Sequence, residues 1–226
     1  EVKGVCDNIA HDLRTPLTRL RAQLYRIKQE AEAESDYAVK LDDAIAETDT
    51  LMARFRGLLR ISELEDHQRR SGFLVMDPLP LLRELHDFYL PLAEEGELQL
   101  RLETPESLPW ITGDRALLFE ALANLLSNSI KFSPPGGEVI LRGVNDAGST
   151  RLEVHDSGPG IPAAERDAVF QRFYRVDESD QQGGFGLGLS IVAAIINLHG
   201  FRLEVGTSER GGARLVLECR QQLMPE

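Results

Sequence analysis

Cysteine is scarce in this chain of 226 residues: only Cys6 and Cys219 occur, near opposite ends. No CxxC pair or Cys/His cluster is present, which excludes the common zinc frameworks, and two isolated thiols fit a reducing compartment. Cys219 falls in an alternating apolar segment and reads as a small core residue. Long apolar runs are missing too: none reaches the ~18 residues of a membrane-spanning helix. No segment reads as a secretory leader. The chain starts at Glu1 rather than a methionine, and the expectation is a fragment with a membrane or sensory part upstream. Positive charge is in short supply, with 25 Lys and Arg against 37 Asp and Glu and a net charge of −12. A field of that sign repels phosphate backbones and argues against nucleic acid as a partner. A small phosphate-bearing ligand is not excluded, because it needs only a local patch of cations. Internal repeats and low-complexity tracts are absent as well. An apolar share of 42% is ordinary for a globular chain, long enough for one large domain or two small ones.

The two ends of the chain follow different patterns. In residues 1–66, Val5, Ile9, Leu13, Leu17, Leu20, Leu24 and Ile27 recur at spacings of three and four, the stripe of an amphipathic helix. Polar sequence from Ala31 to Ser35 supplies a turn, and Leu41, Ile45, Thr48, Met52, Phe55, Leu59 and Ser62 carry a second stripe. Two such helices leave apolar surface open as a lone hairpin. Pairing two hairpins into a four-helix bundle closes it, which predicts a homodimer; packing on the downstream domain is the alternative. Residues 67–76 read as a linker with a Ser71-Gly72 break.

From residue 77 to 226 helix and strand signals mix. Asp77-Pro78 marks a helix start that Gly96 ends, and Asp114 caps a helix running to about Phe132. Alternating segments at Leu98 to Leu102, Val139 to Val144, Arg151 to Val154, Phe201 to Val205 and Ala213 to Cys219 predict strands, with a last helix from Leu187 to His199. Helices gathered on one mixed sheet make a two-layer α/β sandwich.

Three motifs in this half carry chemistry. Glu120, Asn124, Asn128 and Lys131 lie four, four and three apart and form one polar helix stripe, while Leu118, Leu122, Leu125 and Leu126 turn another way. Taken alone the stripe is either a solvated face or a set of oxygen ligands for hydrated Mg2+, with Lys131 offsetting phosphate charge. Asp156-Ser157-Gly158-Pro159-Gly160 follows a strand; it is an ordinary turn or a carboxylate placed to accept a bond from an exocyclic amine. Gly184, Gly186 and Gly188, with Leu187 among them, open a helix whose first N–H groups suit an anion. Ahead of them Phe170, Phe173 and Tyr174 alternate with Arg172 and Arg175, arginines that are either solvated or phosphate ligands.

The order and spacing of these motifs resemble the ATP-binding domain of histidine kinases, the fold type shared with gyrase and chaperone ATPases. The resemblance rests on Asn124-Leu-Leu-Ser-Asn128-Ser-Ile-Lys131-Phe, Asp156-Ser-Gly-Pro-Gly160, Phe170-Gln-Arg-Phe173 and Gly184-Phe-Gly186-Leu187-Gly188-Leu. It implies ATP and Mg2+ as cofactors. Asn124 and Asn128 then hold the metal, Asp156 reads adenine, and Gly184, Gly186 and Gly188 border the phosphates, with Lys131 as a phosphate ligand. Three positions depart from the family's commonest pattern: Phe185 stands where a small hydroxyl residue is frequent, Ser129 where alanine is usual, and Ser157 where asparagine or aspartate is usual.

Upstream, Asn8-Ile-Ala-His11-Asp12-Leu-Arg14-Thr15-Pro16-Leu17 sits on the first helix. Asp12 is placed to hold one ring nitrogen of His11, fixing the tautomer and leaving the other nitrogen as a nucleophile. Thr15, four residues on, shares the face, and Pro16 deprives the Asp12 carbonyl of its helical partner. This segment resembles the phosphoacceptor box of histidine kinases. The resemblance, which covers nearly the whole chain, implies that His11 is phosphorylated with the help of Asp12. It also implies that Asp12 and Thr15 position water for dephosphorylating a partner, and that the phosphoryl group passes to a response-regulator receiver domain. It further implies a cytoplasmic fragment, itself free of membrane contact, of a protein held in the bacterial inner membrane. His67, His86, His155 and His199 lack such surroundings and read as structural or exposed. Three other readings are a nucleotide-binding scaffold without transfer, against which His11 and the asparagine stripe both speak, and an ATP-driven clamp or a serine kinase of an anti-sigma partner, which would not need the His11-Asp12 helix.

Overall fold

The computed structural model describes residues 17–28, 36–65, 72–146, 149–176 and 186–219. The chain divides into two compact units, Glu1–Glu63 and Leu64–Glu226. His11, Asp12, Thr15, Pro16 and the turn expected from Ala31 to Ser35 lie outside the described residues.

In the first unit α1 covers residues 17–28, and α2 runs Asp36–Leu64. Two ion pairs fix their direction: Arg21 Nε to Asp49 Oδ1 at 2.7 Å and Lys28 Nζ to Asp42 Oδ1 at 2.5 Å. From 21 to 28 the first index rises by two helical turns, and from 49 to 42 the second falls by as much, so the helices run antiparallel. Exposed pairs of this kind contribute at most about 1 kcal/mol each and report the register more than they hold it. Ile45 and Thr48 of the predicted α2 stripe are buried, whereas Leu20, Tyr25, Ile27 and Leu51 stay exposed.

Along the second unit the order is β1 (Leu74–Met76), α3 (Leu79–Glu95), β2 (Gln99–Glu103), β3 (Ile111–Gly113), α4 (Arg115–Phe132), β4 (Glu138–Asp146) and β5 (Ser149–His155). After short 3-10 turns at Ala163–Glu165 and Ala168–Phe170 come α5 (Gly188–His199), β6 (Arg202–Thr207) and β7 (Ala213–Cys219). Five strands form one mixed sheet in the order β2-β4-β5-β7-β6. β2 and β4 are parallel and the remaining neighbours antiparallel.

The predicted two-layer sandwich is present because each strand alternates between two environments. Val139 and Leu141 of β4, Leu152 and Val154 of β5, and Leu215, Leu217 and Cys219 of β7 join one core with Leu81, Leu82 and Leu85 of α3, Leu118, Leu122, Leu125 and Leu126 of α4, and Val192, Ile195 and Ile196 of α5. Cys219 is the small core residue expected, and burial pushes its thiol far above the usual range. The residues between them on the strands carry ion pairs. Arg101 pairs with Glu138 at 2.9 Å, Arg142 with Glu103 at 2.8 Å, and Arg214 with Glu153 at 2.8 Å.

Residues 67–76 were expected to link, yet Leu74–Met76 is a strand, paired antiparallel with β3 in the register Leu74 to Gly113 and Met76 to Ile111. Leu74 and Val75 are both exposed, so three residues give no alternation to read. At the start of α3 the Asp77 carboxylate accepts the Leu79 N–H at 2.9 Å, while Pro78 holds φ −76° and ψ −17°. The expected cap and proline agree with the structure to within one residue. At its end Gly96 caps with φ −81°, and Glu97 takes the left-handed backbone at φ 56°.

The start of α4 is tied on both sides. Asp114 Oδ1 accepts from the N–H groups of Ala116 and Leu117 at 2.9 and 3.2 Å, and its own N–H donates to His199 Nε2 at 3.0 Å. His199 Nδ1 donates to the Ile195 carbonyl at 2.7 Å, so its neutral tautomer is fixed, and its ring stacks on Phe73 at 4.4 Å. His199 therefore pins α5 to the cap of α4, the helix that carries the site.

Candidate functional site

Helix α4 presents the predicted stripe at the edge of its buried face: Glu120, Asn124 and Asn128 are half-buried and Lys131 is exposed. Asn124 Nδ2 donates to the Glu120 carbonyl at 2.8 Å, which turns Oδ1 away from its own helix as a free-standing acceptor direction. That oxygen faces the start of α5: a Cβ on Gly188 would stand 3.3 Å from Asn124 Oδ1 and 3.6 Å from Asn128 Nδ2. The structure thus brings the asparagines and the last glycine of the Gly-rich run together, although 60 positions separate Asn128 from Gly188. Oxygen donors on a partly open helix face fit a hard divalent cation. Lys131 Nζ lies 5.2 Å from the centroid of the Phe132 ring.

Leu187, at the N-cap position of α5, is buried and supplies no side-chain cap, and Gly188 begins the helix. The contrast with α4, capped by Asp114, is physical: N–H groups that the N-cap residue does not take, and the positive end of the helix dipole, favour an anion. Gly186 holds φ +67°, and a Cβ there would fall 2.8 Å from Phe173 C and Tyr174 O. The Phe173 N–H donates to the Gly186 carbonyl at 2.9 Å with Phe173 itself at φ 65°, so the aromatic segment and the glycine run meet back to back. Only glycine fits at 186. Gly184 lies outside the described residues. Arg172 is exposed and pairs with Glu65, a residue of the same unit; Arg175 is half-buried.

Asp156, at the end of β5, is 6% exposed, a depth a carboxylate tolerates only with partners. Oδ1 accepts the N–H groups of Gly158 at 3.0 Å and Ala213 at 2.8 Å, and Oδ2 accepts the Ser129 hydroxyl at 3.2 Å. Burial pushes its carboxyl upward, with those three bonds and the neighbouring His155 opposing. A carboxylate held on one oxygen and partly open on the other can take one more donor. A Cβ on Gly158 would meet the Phe132 carbonyl at 2.8 Å, and Gly160 at φ +73° passes 3.3 Å from the Gly211 carbonyl by the same measure.

Three contributors were not singled out from the sequence. Gly212 in the β6–β7 turn leaves room for Asp156, since a Cβ on it would lie 2.2 Å from Oδ1. Ser129 supplies the hydroxyl described above. Ser157 accepts the Glu138 N–H at 2.7 Å and donates to the Glu138 carbonyl at 2.9 Å, closing the Gly-containing loop onto the start of β4. The doublet Gly211-Gly212 was the available signal for the first. The two serines showed only as departures from a family pattern.

Three of the four other histidines lie in the described residues, and each is held by a partner. His155 lies 2.8 Å from Glu153 in the buried ion-pair cluster, His86 pairs with Asp87 at 3.1 Å, and His199 is the clamp described above. His67 lies outside the described residues. Among the described residues no group of three or more His, Cys, Asp or Glu side chains is placed to hold a metal.

Residues 113–223 match the family described as Histidine kinase-, DNA gyrase B-, and HSP90-like ATPase. The sensor protein IrlS of Burkholderia pseudomallei is 29% identical over 195 residues, 85% of this chain and 41% of its own length. The alginate biosynthesis sensor protein KinB of Pseudomonas aeruginosa is 30% identical over 92% of this chain and 35% of its own. The chain therefore spans about a third to two fifths of these two curated relatives. Among solved structures, full-length ShkA in complex with AMPPNP aligns with a TM-score of 0.76 at 25% identity, over 96% of this chain and 45% of its own. The mycobacterial sensor histidine kinase MprB aligns with a TM-score of 0.55 at 30% identity, over 66% of this chain and 99% of its own. With that kinase structure matched almost end to end, and with the Asn124, Asp156 and Gly188 positions assembled as described, the chain belongs to the sensor histidine kinase family.

Proposed function

We propose that this chain is a kinase core that uses Mg-ATP to phosphorylate its own His11 and then passes the phosphoryl group to an aspartate of a response-regulator receiver domain. One observation carries the reading. A single helix, α4, serves both ends of a nucleotide: Ser129 bonds the Asp156 carboxylate, and Asn124 one turn earlier faces Gly188 at the uncapped start of α5. The spacing suits a base at one end and a polyphosphate at the other. ShkA, crystallised with an ATP analogue, supports the same assignment.

In this reading Asp156 accepts from the exocyclic amine of adenine, with Gly158 and Gly160 shaping the turn beneath it. The α5 N-terminus, with Gly184, Gly186, Leu187 and Gly188, borders the phosphates, where Lys131, Arg172 and Arg175 supply positive charge. Arg172 must leave Glu65 to do so. Asn124 and Asn128, with Glu120 behind them, would hold Mg2+, which would offset the negative charge of the phosphates. Asp12 holds one ring nitrogen of His11 and fixes its tautomer, and the other nitrogen attacks the terminal phosphorus in line while the bond to the ADP oxygen breaks. In the reverse mode Asp12 and Thr15 position water to remove phosphate from the regulator.

The exposed Leu20, Tyr25, Ile27 and Leu51 on the antiparallel hairpin support pairing with a second copy into a four-helix bundle. The receiver domain docks near His11 on that bundle. Among the described residues no helix is long and apolar enough to cross a membrane. We place this part in the cytoplasm and the membrane anchor elsewhere in a bacterial protein.

The test incubates the chain and a His11→Gln variant with Mg-ATP labelled on the terminal phosphate. Acid-labile, alkali-stable label on the parent alone is expected. An unlabelled parent that still binds ATP would overturn the autokinase reading.

A further inference from the structure

Ser129 follows Asn128 on α4 and is 2% exposed. Its hydroxyl donates to Asp156 Oδ2 at 3.2 Å. The other carboxylate oxygen is already full, because Gly158 and Ala213 donate to it at 3.0 and 2.8 Å and a carboxylate oxygen has two acceptor directions. Oδ2 therefore has one direction taken by Ser129 and one left for a ligand.

We propose that Ser129 is a positioning residue for nucleotide selection, which leaves Asp156 a single acceptor direction and so favours 6-aminopurine over 6-oxopurine nucleotides. The inference rests on the reading of Asp156 as the residue that meets the base. An Oδ2 with two open directions would accept a 6-amino hydrogen in one tilt of the base and the ring N1–H of a 6-oxopurine in another. Filling one direction removes the second tilt. Sites built to bond one polar group reject analogues lacking it far more strongly than apolar sites do. Burial of Asp156 favours its neutral form, and the Ser129 bond also stabilises the ionised acceptor against that pressure.

The experiment measures dissociation constants of Mg-ATP and Mg-ITP for the whole chain by calorimetry, in the wild type and in Ser129→Ala and Ser129→Thr, with thermal unfolding alongside. Wild type is expected to prefer ATP by about tenfold or more, a difference of about 1.4 kcal/mol. Ser129→Ala should lose most of that preference, through weaker ATP binding and unchanged or tighter ITP binding, while Ser129→Thr, which keeps the hydroxyl, retains it. Should alanine destabilise the fold, Ser129→Cys, of similar size but with a far weaker donor, is expected to lose most of the preference as alanine does, and a retained ratio there overturns the proposal. An ATP-to-ITP ratio unchanged in Ser129→Ala, whatever the absolute affinities, overturns the proposal. A wild type without any preference for ATP overturns the reading of Asp156 as well, and Asp156→Asn with the same two nucleotides separates that failure from the first.

Discussion

Gly212 and Asp156 approach so closely that a Cβ on the glycine would lie 2.2 Å from the carboxylate Oδ1 and 2.4 Å from the Asp156 carbonyl. Real Cβ atoms do not stand that near a backbone oxygen, so a substitution must move the β6–β7 turn or the loop after β5. Overpacking of this kind costs about 1–3 kcal/mol. Gly212→Ala is expected to lower the unfolding midpoint by several degrees and to weaken ATP binding, since Ala213 donates to the same oxygen at 2.8 Å. Gly206→Ala, in the neighbouring strand with nothing nearer than 4.0 Å, is the control: it should leave ATP binding unchanged and the midpoint level or slightly higher. Thermal unfolding and nucleotide titration of both variants check this.

Gly188→Ala should separate stability from binding. Gly188 opens α5, where alanine is favoured over glycine by up to about 1 kcal/mol. The added Cβ reaches 3.3 Å from Asn124 Oδ1 and so crowds the proposed metal side of the site. The variant is expected to unfold at the same or a higher temperature while binding Mg-ATP several-fold more weakly. If affinity holds with Mg2+ present, Asn124 does not face the metal.

How far these relationships were legible in sequence depended on what wrote the pattern. The α4 stripe could be read because a helix repeats its face every three or four residues, and the leucines at 118, 122, 125 and 126 fell where the core needed them. The strands could be read because Leu152 and Val154 alternate with Arg151 and Glu153. β1 could not: its three residues pair only with β3, more than thirty positions away, and Leu74 and Val75 are exposed. Asp156 was legible as a candidate, but its partners were not. Ala213 donates through its backbone, which has no sequence signature, and it lies 57 residues along the chain.

Asp156→Asn should fold as well as the wild type and bind poorly. The amide oxygen can keep the Gly158 and Ala213 donors, and the amide nitrogen can donate to the Ser129 oxygen, so every contact of the carboxylate has a replacement. Burial raises the folded-state carboxyl above its ordinary value of 3.8, so the ionised form costs stability as pH rises past that value. Removing the charge removes the cost, and the midpoint at neutral pH should stay level or rise. Affinity for ATP should fall by about tenfold or more, because a donor now meets the exocyclic amine. A stable variant with undiminished ATP affinity would show that the base is read elsewhere.

Glu153, three residues before Asp156 on β5, gives the opposite pH sign. It is 1% exposed, on the strand face away from the helices, with His155 Nε2 at 2.8 Å and Arg214 at 2.8 and 3.3 Å. Arg151 also approaches, at 3.5 Å. Burial alone would raise this carboxyl; the hydrogen bonds and charges of His155 and Arg214 outweigh it and bring it from 4.5 down to about 2. A depressed folded-state value means stability fully present above pH 4.5 and lost as pH falls toward 2. The amount is of order 3 kcal/mol, at about 1.4 kcal/mol per unit. Glu153→Gln should lose stability at pH 7 by leaving Arg214 without its counter-charge beside the buried His155 ring. Its unfolding free energy should also fall less steeply than that of the wild type between pH 4.5 and 2. Urea unfolding of both proteins across that range provides the measurement. Parallel curves would mean that Arg214 and His155 do not hold the carboxylate ionised in the folded state.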